Sequence, residues 1–287
     1  MNAKPYITLL IGVIAVSFAS IFIRLADASP LVIAAARLLF ASAVLLPFAA
    51  VNSMVSISKL TVRDLFLIIL SSLFLALHFG LWITSLSYTT IASSVILVTS
   101  HPAFVAVFSY FLWKERLNKL NILGIAAALA SVVVINYGDF ALSSRAVLGD
   151  LMALAASFAM GAYLIIGRQM RKRIDSLGYL TLVYTGAGLM LLLVLLFTGE
   201  RLSGYSATTY LMFLLLALVP QLIGHSALNL AVRTLPVTLV SIAILGEPIG
   251  ATLLGALILR EMPKVNEIAG GLLILLGIYM VMRRRSE

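Results

Sequence analysis

Long runs of apolar residues, separated by short polar stretches, recur along the whole chain. Most runs reach about 20 residues, the length that a helix needs to cross a hydrocarbon core of about 30 Å. Reading each run between its flanking charges and turn residues predicts ten helices. The predicted helices lie near residues 6–23, 30–50, 65–86, 91–113, 120–136, 150–166, 177–197, 210–230, 237–259 and 265–282.

The composition indicates that lipid is the main solvent of this chain. Hydrophobic residues make up 62% and charged residues 11%, with a mean hydropathy of +1.12, whereas soluble domains are about half apolar and about a quarter charged. The absence of cysteine excludes disulfides, thiolate metal sites and cysteine nucleophiles. The first apolar run lacks a small-residue cleavage site, so we interpret it as a retained helix and not as a signal peptide.

The positive charges predict the orientation. The net charge of +9 comes from short clusters between apolar runs, which is typical of membrane proteins and not of nucleic-acid-binding proteins. With ten spans, fourteen lysines and arginines fall on one side and five on the other. Because cytoplasmic loops retain positive charge, both termini are predicted to be cytoplasmic, in the inner membrane of a bacterium or archaeon.

The two halves of the sequence resemble each other. The stretch SHPAFVAVFSYFLWKERLNKLNILGIAAAL from Ser100 aligns without a gap with GEPIGATLLGALILREMPKVNEIAGGLLIL from Gly246. The alignment places an HP dipeptide over EP and KE over RE. Since five spans is an odd number, the second copy must enter the membrane upside down. We therefore predict an all-α membrane protein with ten transmembrane helices, arranged as two inverted five-helix repeats (1–143 and 144–287) around a central cavity.

These motifs also resemble a known family. A helix with HP or EP, a loop with KER or REM and a glycine-rich last helix, found twice, is similar to the EamA-type transporters of the drug/metabolite transporter superfamily. That resemblance implies ten helices around a central cavity and transport of amino acids, other metabolites or drugs, frequently outward. The stretch LHFGLWITSLSYTT from Leu77 is similar to the amino-acid exporter branch, including its aromatic amino-acid exporters.

Polar residues inside the spans predict where the cavity lies, because such groups usually face the interior of a helix bundle or a water-filled path. His78 and Trp82 share one face of the third predicted helix, and His225 and Asn229 share one face of the eighth, which also carries Gln221. With one gap, the repeat superposes the two faces. We expect them to line one cavity, the alternative being isolated histidines bonded to backbone carbonyls.

Two further positions combine a polar side chain with a proline. His101 precedes Pro102 and Glu247 precedes Pro248, and each proline should mark a helix kink. Glu247 is the one carboxylate that the predicted spans place mid-helix, and Arg37 is the one cation well inside a span. Glu247 could form an ion pair with Arg37, bind a substrate ammonium group or carry a proton; Arg37 could instead bind a substrate carboxylate.

These features favour a secondary transporter, predicted to export small metabolites such as amino acids by alternating access. A membrane channel and an intramembrane histidine-ligated redox protein are the alternatives, and no G-x-S-x-G or H-E-x-x-H motif indicates an enzyme. We expect no cofactor or metal, no nucleic acid, and a chain that functions as a monomer with the lipid bilayer and a small-molecule substrate as its partners.

Overall fold

The structure is a computed structural model that describes residues 4–114, 118–137, 144–170, 173–228 and 243–282. Every regular element within those ranges is a helix. In chain order they are α1 (Lys4–Ser17), α2 (Ala19–Leu25), α3 (Pro30–Asn52), α4 (Met54–Ile57), α5 (Val62–Ser85), α6 (Ile91–Val98), α7 (His101–Trp113), α8 (Lys119–Tyr137), α9 (Ser144–Met170), α10 (Ser176–Thr198), α11 (Ala207–Leu216), a π-helical segment (Ala217–Gly224), α12 (Gly246–Leu259) and α13 (Val265–Met282).

Seven helical segments of the described residues are long and apolar enough to cross a membrane. They are Lys4–Leu25, Pro30–Asn52, Val62–Ser85, Ile91–Leu112, Ser144–Met170, Ser176–Thr198 and Ala207–Leu228. Shorter apolar helices occur at Lys119–Ile135, Gly246–Leu259 and Val265–Met280. The chain is thus a multi-pass helical membrane protein. Of the helix predicted at 237–259, residues 237–242 lie outside the described ranges.

Capping residues explain why several helices begin where they do. Thr61 and Asp64 form a capping box, in which the Thr61 hydroxyl accepts from the backbone N–H of Asp64 and the Asp64 carboxylate accepts from that of Thr61. Helix α5 therefore starts at Val62, earlier than predicted. Asp175 caps α10 by accepting from the backbone N–H of Gly178 at 2.9 Å.

Two helices end in the same unusual backbone conformation. Lys114 follows α7 with φ 53° and Arg260 follows α12 with φ 57°. Among the described residues they are the non-glycine positions with positive φ, a conformation that side chains with a Cβ rarely adopt. The two residues occupy equivalent places in the alignment of the halves.

The last long helices of the two halves, α8 and α13, pack closely along their lengths. A Cβ added at Gly277 would lie 2.6 Å from the carbonyl oxygen of Gly124 and 2.9 Å from the backbone nitrogen of Ala128. A glycine on α13 therefore lets the two backbones come together. Helix α3 likewise packs on α10, and α5 packs on α9.

At one end of the bundle, carboxylates from the second half reach the start of α6. The Thr90 hydroxyl donates to Glu267 at 2.7 Å, and Glu261 accepts from the backbone N–H of Ile91. Glu261 also forms an ion pair with Arg24 at 3.4 Å. These contacts hold the loop between α12 and α13 against helices of the first half.

Candidate functional site

A small cavity of about 60 Å³ lies among the helices. Its lining residues come from both halves of the chain: Val16, Ala19, Arg37, His78, Phe79, Trp82, Val98, Thr99, His101, Met160, His225 and Glu247. Six residues singled out in the sequence are in that set. Gln221 contacts one of the lining residues, Pro102 and Pro248 each directly follow one, and Asn229 lies outside the described residues.

Interrupted helices surround the cavity. Helix α6 ends at Val98 and α7 begins at His101, with Pro102 in its first turn. Helix α12 begins at Gly246 with Pro248 in its first turn. Proline lacks a backbone N–H and fits the first turn of a helix, so in the described residues both prolines lie at helix starts and not inside continuous helices.

Two other interruptions were not predicted from the sequence. Helix α1 ends at Ser17 and α2 begins at Ala19. The Ser17 hydroxyl donates to the carbonyl of Val13 at 2.8 Å, a bond that competes with the helical pattern. The other interruption is the π-helical segment, which contains Pro220 and leads into His225. π-Helical turns are rare and are frequent at functional sites.

Arg37 is the buried cation of the site, with 1% of its surface exposed. Its Nε donates to Oε1 of Gln221 at 2.8 Å, and its Cζ lies 4.2 Å from the ring centroid of Phe79 and 5.8 Å from that of Trp82. Both contacts with the rings are cation–π interactions. Gln221 thus joins the site through Arg37.

No ion pair between Arg37 and Glu247 is present among the described side chains. The Glu247 carboxylate has no hydrogen bond or ion pair to any described residue, and its backbone carbonyl accepts a long bond of 3.4 Å from Ser17. Arg37 and Glu247 are therefore not in direct contact in this conformation, although their charges attract each other across the cavity. Arg37 instead bonds to Gln221, which is an uncharged acceptor.

His78 and Trp82 lie on one face of α5, as their spacing predicts. Their rings stack with centroids 6.0 Å apart and 20° between planes. Nδ1 of His78 lies 3.0 Å from the carbonyl oxygen of Ala156, which can only accept a hydrogen bond. His78 thus both binds a backbone carbonyl and lines the cavity. The ring of His101 makes a longer contact of 3.4 Å with the carbonyl of Val98.

Two buried donors on side chains that line the cavity have no partner. Arg37 Nη1 and Trp82 Nε1 are inaccessible to solvent and form no hydrogen bond with any described residue. A buried donor without an acceptor costs more free energy than a typical hydrogen bond contributes, and more again when the donor is charged. The two donors are therefore available to an acceptor, either water or a bound solute.

Some residues of the site, and some buried carboxylates, were missed from the sequence. Phe79 and Thr99 line the cavity beside predicted residues, so proximity to His78 and His101 is the signal that could have found them. Asp150 and Glu267, expected at helix ends or in loops, are fully buried. Helix α9 begins earlier than predicted, at Ser144, and this places Asp150 inside a helix.

A multi-pass helical bundle with a polar cavity at interrupted helices has the construction of a membrane transporter. The comparison with protein families gives the same class and a name for it. The model of the EamA-like transporter family matches residues 3–137 and, a second time, residues 147–283. The chain belongs to this family.

Two relatives agree with this assignment, and a solved structure shares the fold. An uncharacterized transporter of Clostridium kluyveri is 27% identical over 248 residues, which cover 83% of this chain and 79% of the relative. The uncharacterized transporter YdfC of Bacillus subtilis is 26% identical over 275 residues, covering 94% and 88%. A solved crystal structure aligns with a TM-score of 0.68 and 17% identity over 98% of this chain and 96% of the other, which shows a shared fold.

Proposed function

We propose that this chain is a secondary transporter that exports small metabolites, in particular amino acids including aromatic and other neutral ones, by alternating access. The observation that carries the proposal is the cavity, whose polar wall comes from both halves of the chain. Arg37, His78 and Trp82 precede residue 144, and His225 and Glu247 follow it. Secondary transporters built from repeats bind their substrates at the interface between the repeats.

The proposed architecture is ten spans in two inverted five-helix repeats, residues 1–143 and 144–287. The two matches to one family model support it, as do the left-handed residues Lys114 and Arg260 at equivalent positions. In this architecture the seven long spans are completed by α8, α12 and α13. The fourth span of each repeat, α6–α7 or α12, carries a proline in a first turn beside the cavity.

Helix packing provides an independent argument for a repeat. If the halves are related by pseudo-symmetry, each contact between them should have a counterpart with the two halves exchanged. Helix α9 packs on α5, as α1 and α2 pack on the π-helical segment and α11. Helix α9 also packs on α6 and α7, as α1 and α2 pack on α12. The pair α3–α10 joins the second helix of each half, and the pair α8–α13 joins the fifth. Exchanging the two halves therefore leaves each of these pairs unchanged.

The observed cavity is too small for such a solute. A volume of about 60 Å³ holds a few water molecules, whereas small-molecule sites typically enclose about 300 Å³ or more. We therefore assign this conformation to a contracted state. The wall would expand by movement at the helix interruptions, where the regular α-helical hydrogen-bond pattern changes.

The proposed membrane is the inner membrane of a bacterium or archaeon, with both termini cytoplasmic and the monomer as the functional unit. In that orientation, Arg24 and Glu261 lie on the side away from the cytoplasm. Their ion pair and the bond from the Ile91 N–H to Glu261 would hold that side closed. Export requires these contacts to separate.

The amino-acid assignment is supported by the resemblance of the stretch from Leu77 to the exporter branch. That stretch contains His78, Phe79 and Trp82, which line the cavity. An aromatic wall with one cation and one carboxylate suits a neutral zwitterion better than a phosphorylated solute, whose charge would be repelled by Glu247.

The test is uptake into liposomes that contain the purified protein, screened with radiolabelled amino acids with and without a proton gradient. The proposal expects saturable uptake of at least one amino acid, absent from protein-free liposomes. Failure of every amino acid, with transport of another solute class, would overturn the assignment of the substrate. Transport of nothing would overturn the transport function itself.

A further inference from the structure

The two partnerless donors of the cavity belong to neighbouring side chains. The Arg37 guanidinium carbon lies 5.8 Å from the centroid of the Trp82 ring, and both side chains are almost fully buried, with exposures of 1% and 4%. Arg37 Nη1 and Trp82 Nε1 each lack an acceptor among the described residues. Both groups can only donate, so the missing partner must be an acceptor.

The guanidinium is held in place before any ligand arrives. Its Nε donates to Gln221 at 2.8 Å, and one face lies over the ring of Phe79 at 4.2 Å. The side chain of Gln221 also interacts with the hydroxyl of Tyr184. A guanidinium fixed on one edge and covered on one face keeps its remaining N–H groups in a defined direction. Such preorganisation favours a planar anion.

The charge of the cavity wall limits which anion fits. Arg37 is the cation among the described lining residues, and Glu247 is the carboxylate. A dianion such as a phosphate monoester would leave a negative charge facing Glu247. A single carboxylate would neutralise Arg37 and leave Glu247 free to bind a cationic group of the same solute.

We infer that Arg37 and Trp82 form a carboxylate subsite for the transported solute, and that Glu247 receives its ammonium group. The inference rests on the proposed transport function. It adds the orientation of the bound solute, with its carboxylate at Arg37 and its ammonium group at Glu247. The solute carboxylate accepts from Arg37 Nη1 and Trp82 Nε1, and Phe79 packs on the guanidinium. Amines and amides that lack the carboxylate leave both donors unpaired and are rejected.

The ligand series tests this inference without mutating the site. The protein has two tryptophans, so Trp113→Phe leaves Trp82 as the sole indole reporter. Each proteinogenic amino acid except tryptophan is titrated while the Trp82 emission is recorded, and tryptophan, whose own indole would mask that signal, is titrated by calorimetry. The best binder is then compared with its amide, which lacks the carboxylate, and with its des-amino acid, which lacks the ammonium. We expect about 10- to 100-fold weaker binding of each analogue, the range for loss of a hydrogen bond to a charged group.

Variants of the two donors provide the second test, with binding measured by titration calorimetry on monodisperse protein. Arg37→Gln should weaken binding of the amino acid by about tenfold or more, whereas binding of the amide should change little. Trp82→Phe removes the N–H but keeps an aromatic ring, and should have the same pattern with a smaller loss. Arg63→Gln removes an exposed cation at the start of α5 and is the matched control. If Arg37→Gln fails to fold, the ligand series and the Trp82→Phe variant still test the carboxylate subsite.

The outcomes separate this inference from the proposed function. Equal binding of amino acid and amide, or an Arg37→Gln loss of the same size for both, overturns the carboxylate subsite while amino-acid transport stands. The subsite is also overturned if no amino acid binds. If an amine is transported in that case, the chain is still a transporter but not of amino acids. Saturable uptake of no solute in the liposome assay overturns the transport function.

Discussion

Replacing Gly277 by alanine should separate the last helices of the two halves. The added Cβ would lie 2.6 Å from the carbonyl oxygen of Gly124 and 2.9 Å from the backbone nitrogen of Ala128. Carbon–oxygen contacts between packed helices run at about 3.3 to 3.6 Å, so α13 must retreat by about 0.7 Å or more. Both obstructing atoms are backbone atoms, so no change of side-chain rotamer relieves the clash.

The matched control is Gly255→Ala on α12. A Cβ at Gly255 would lie 3.5 Å from Cδ1 of Ile91, which is an ordinary contact with a side chain. Alanine gains about 1 kcal/mol of helix propensity over glycine at either site, so this gain cancels between the two variants. Overpacking costs about 1 to 3 kcal/mol, and Gly277→Ala should be the less stable variant by that amount.

Thermal unfolding in detergent, followed by size-exclusion chromatography, measures the difference. Gly255→Ala should melt at or above the wild-type temperature, and Gly277→Ala should melt below Gly255→Ala. Equal melting temperatures for the two variants would show that α8 and α13 are not in backbone contact at Gly277, and would refute the packing described for these helices.

Three other outcomes are expected. Glu247→Gln should lower transport more than thermal stability, because no described residue pairs with the carboxylate; a large loss of stability with normal transport would contradict this. Although burial alone raises the pKa of Asp175, hydrogen bonds from two serines and a backbone amide hold it below 3.8, so its stabilising effect is lost as pH falls through the lowered value. Asp175→Asn should therefore lower the melting temperature at neutral pH and have less effect near pH 3, and a constant difference would refute the reasoning. Reporter fusions at Glu287 and Lys172 should report cytoplasm and one at Arg201 the opposite side, whereas Lys172 in the cytoplasm with a C-terminus outside would exclude the four spans predicted between them.

Much of the helical layout could be predicted, because the spacing of apolar runs depends on composition alone. The boundaries were less accurate where local hydrogen bonds decide them. Thr61 and Asp64 extend α5 toward its N-terminus, and α9 continues to Ser144 although Asp150 lies inside it. A carboxylate can be buried there because Ser93 donates to it at 2.6 Å, a partner that is distant in sequence.

The cavity was predicted from rare polar residues, and the structure brings six of them together. Their partners could not be predicted, since they depend on which helices pack. Arg37 bonds to Gln221, 184 positions later in the chain, and not to Glu247. Interruptions without a mid-helix proline, such as that between α1 and α2, also leave little signal in the sequence.

The claim that this chain is a carrier is tested most directly by counterflow. Liposomes containing the protein are loaded with a high concentration of the unlabelled amino acid identified by uptake, and a trace of the labelled form is added outside. An alternating-access carrier should accumulate label transiently above its equilibrium level. Label that enters is diluted by the unlabelled amino acid inside, which occupies the binding site in most of its outward steps. Label that rises only to equilibrium, with a rate that does not saturate, would indicate a channel and contradict the account.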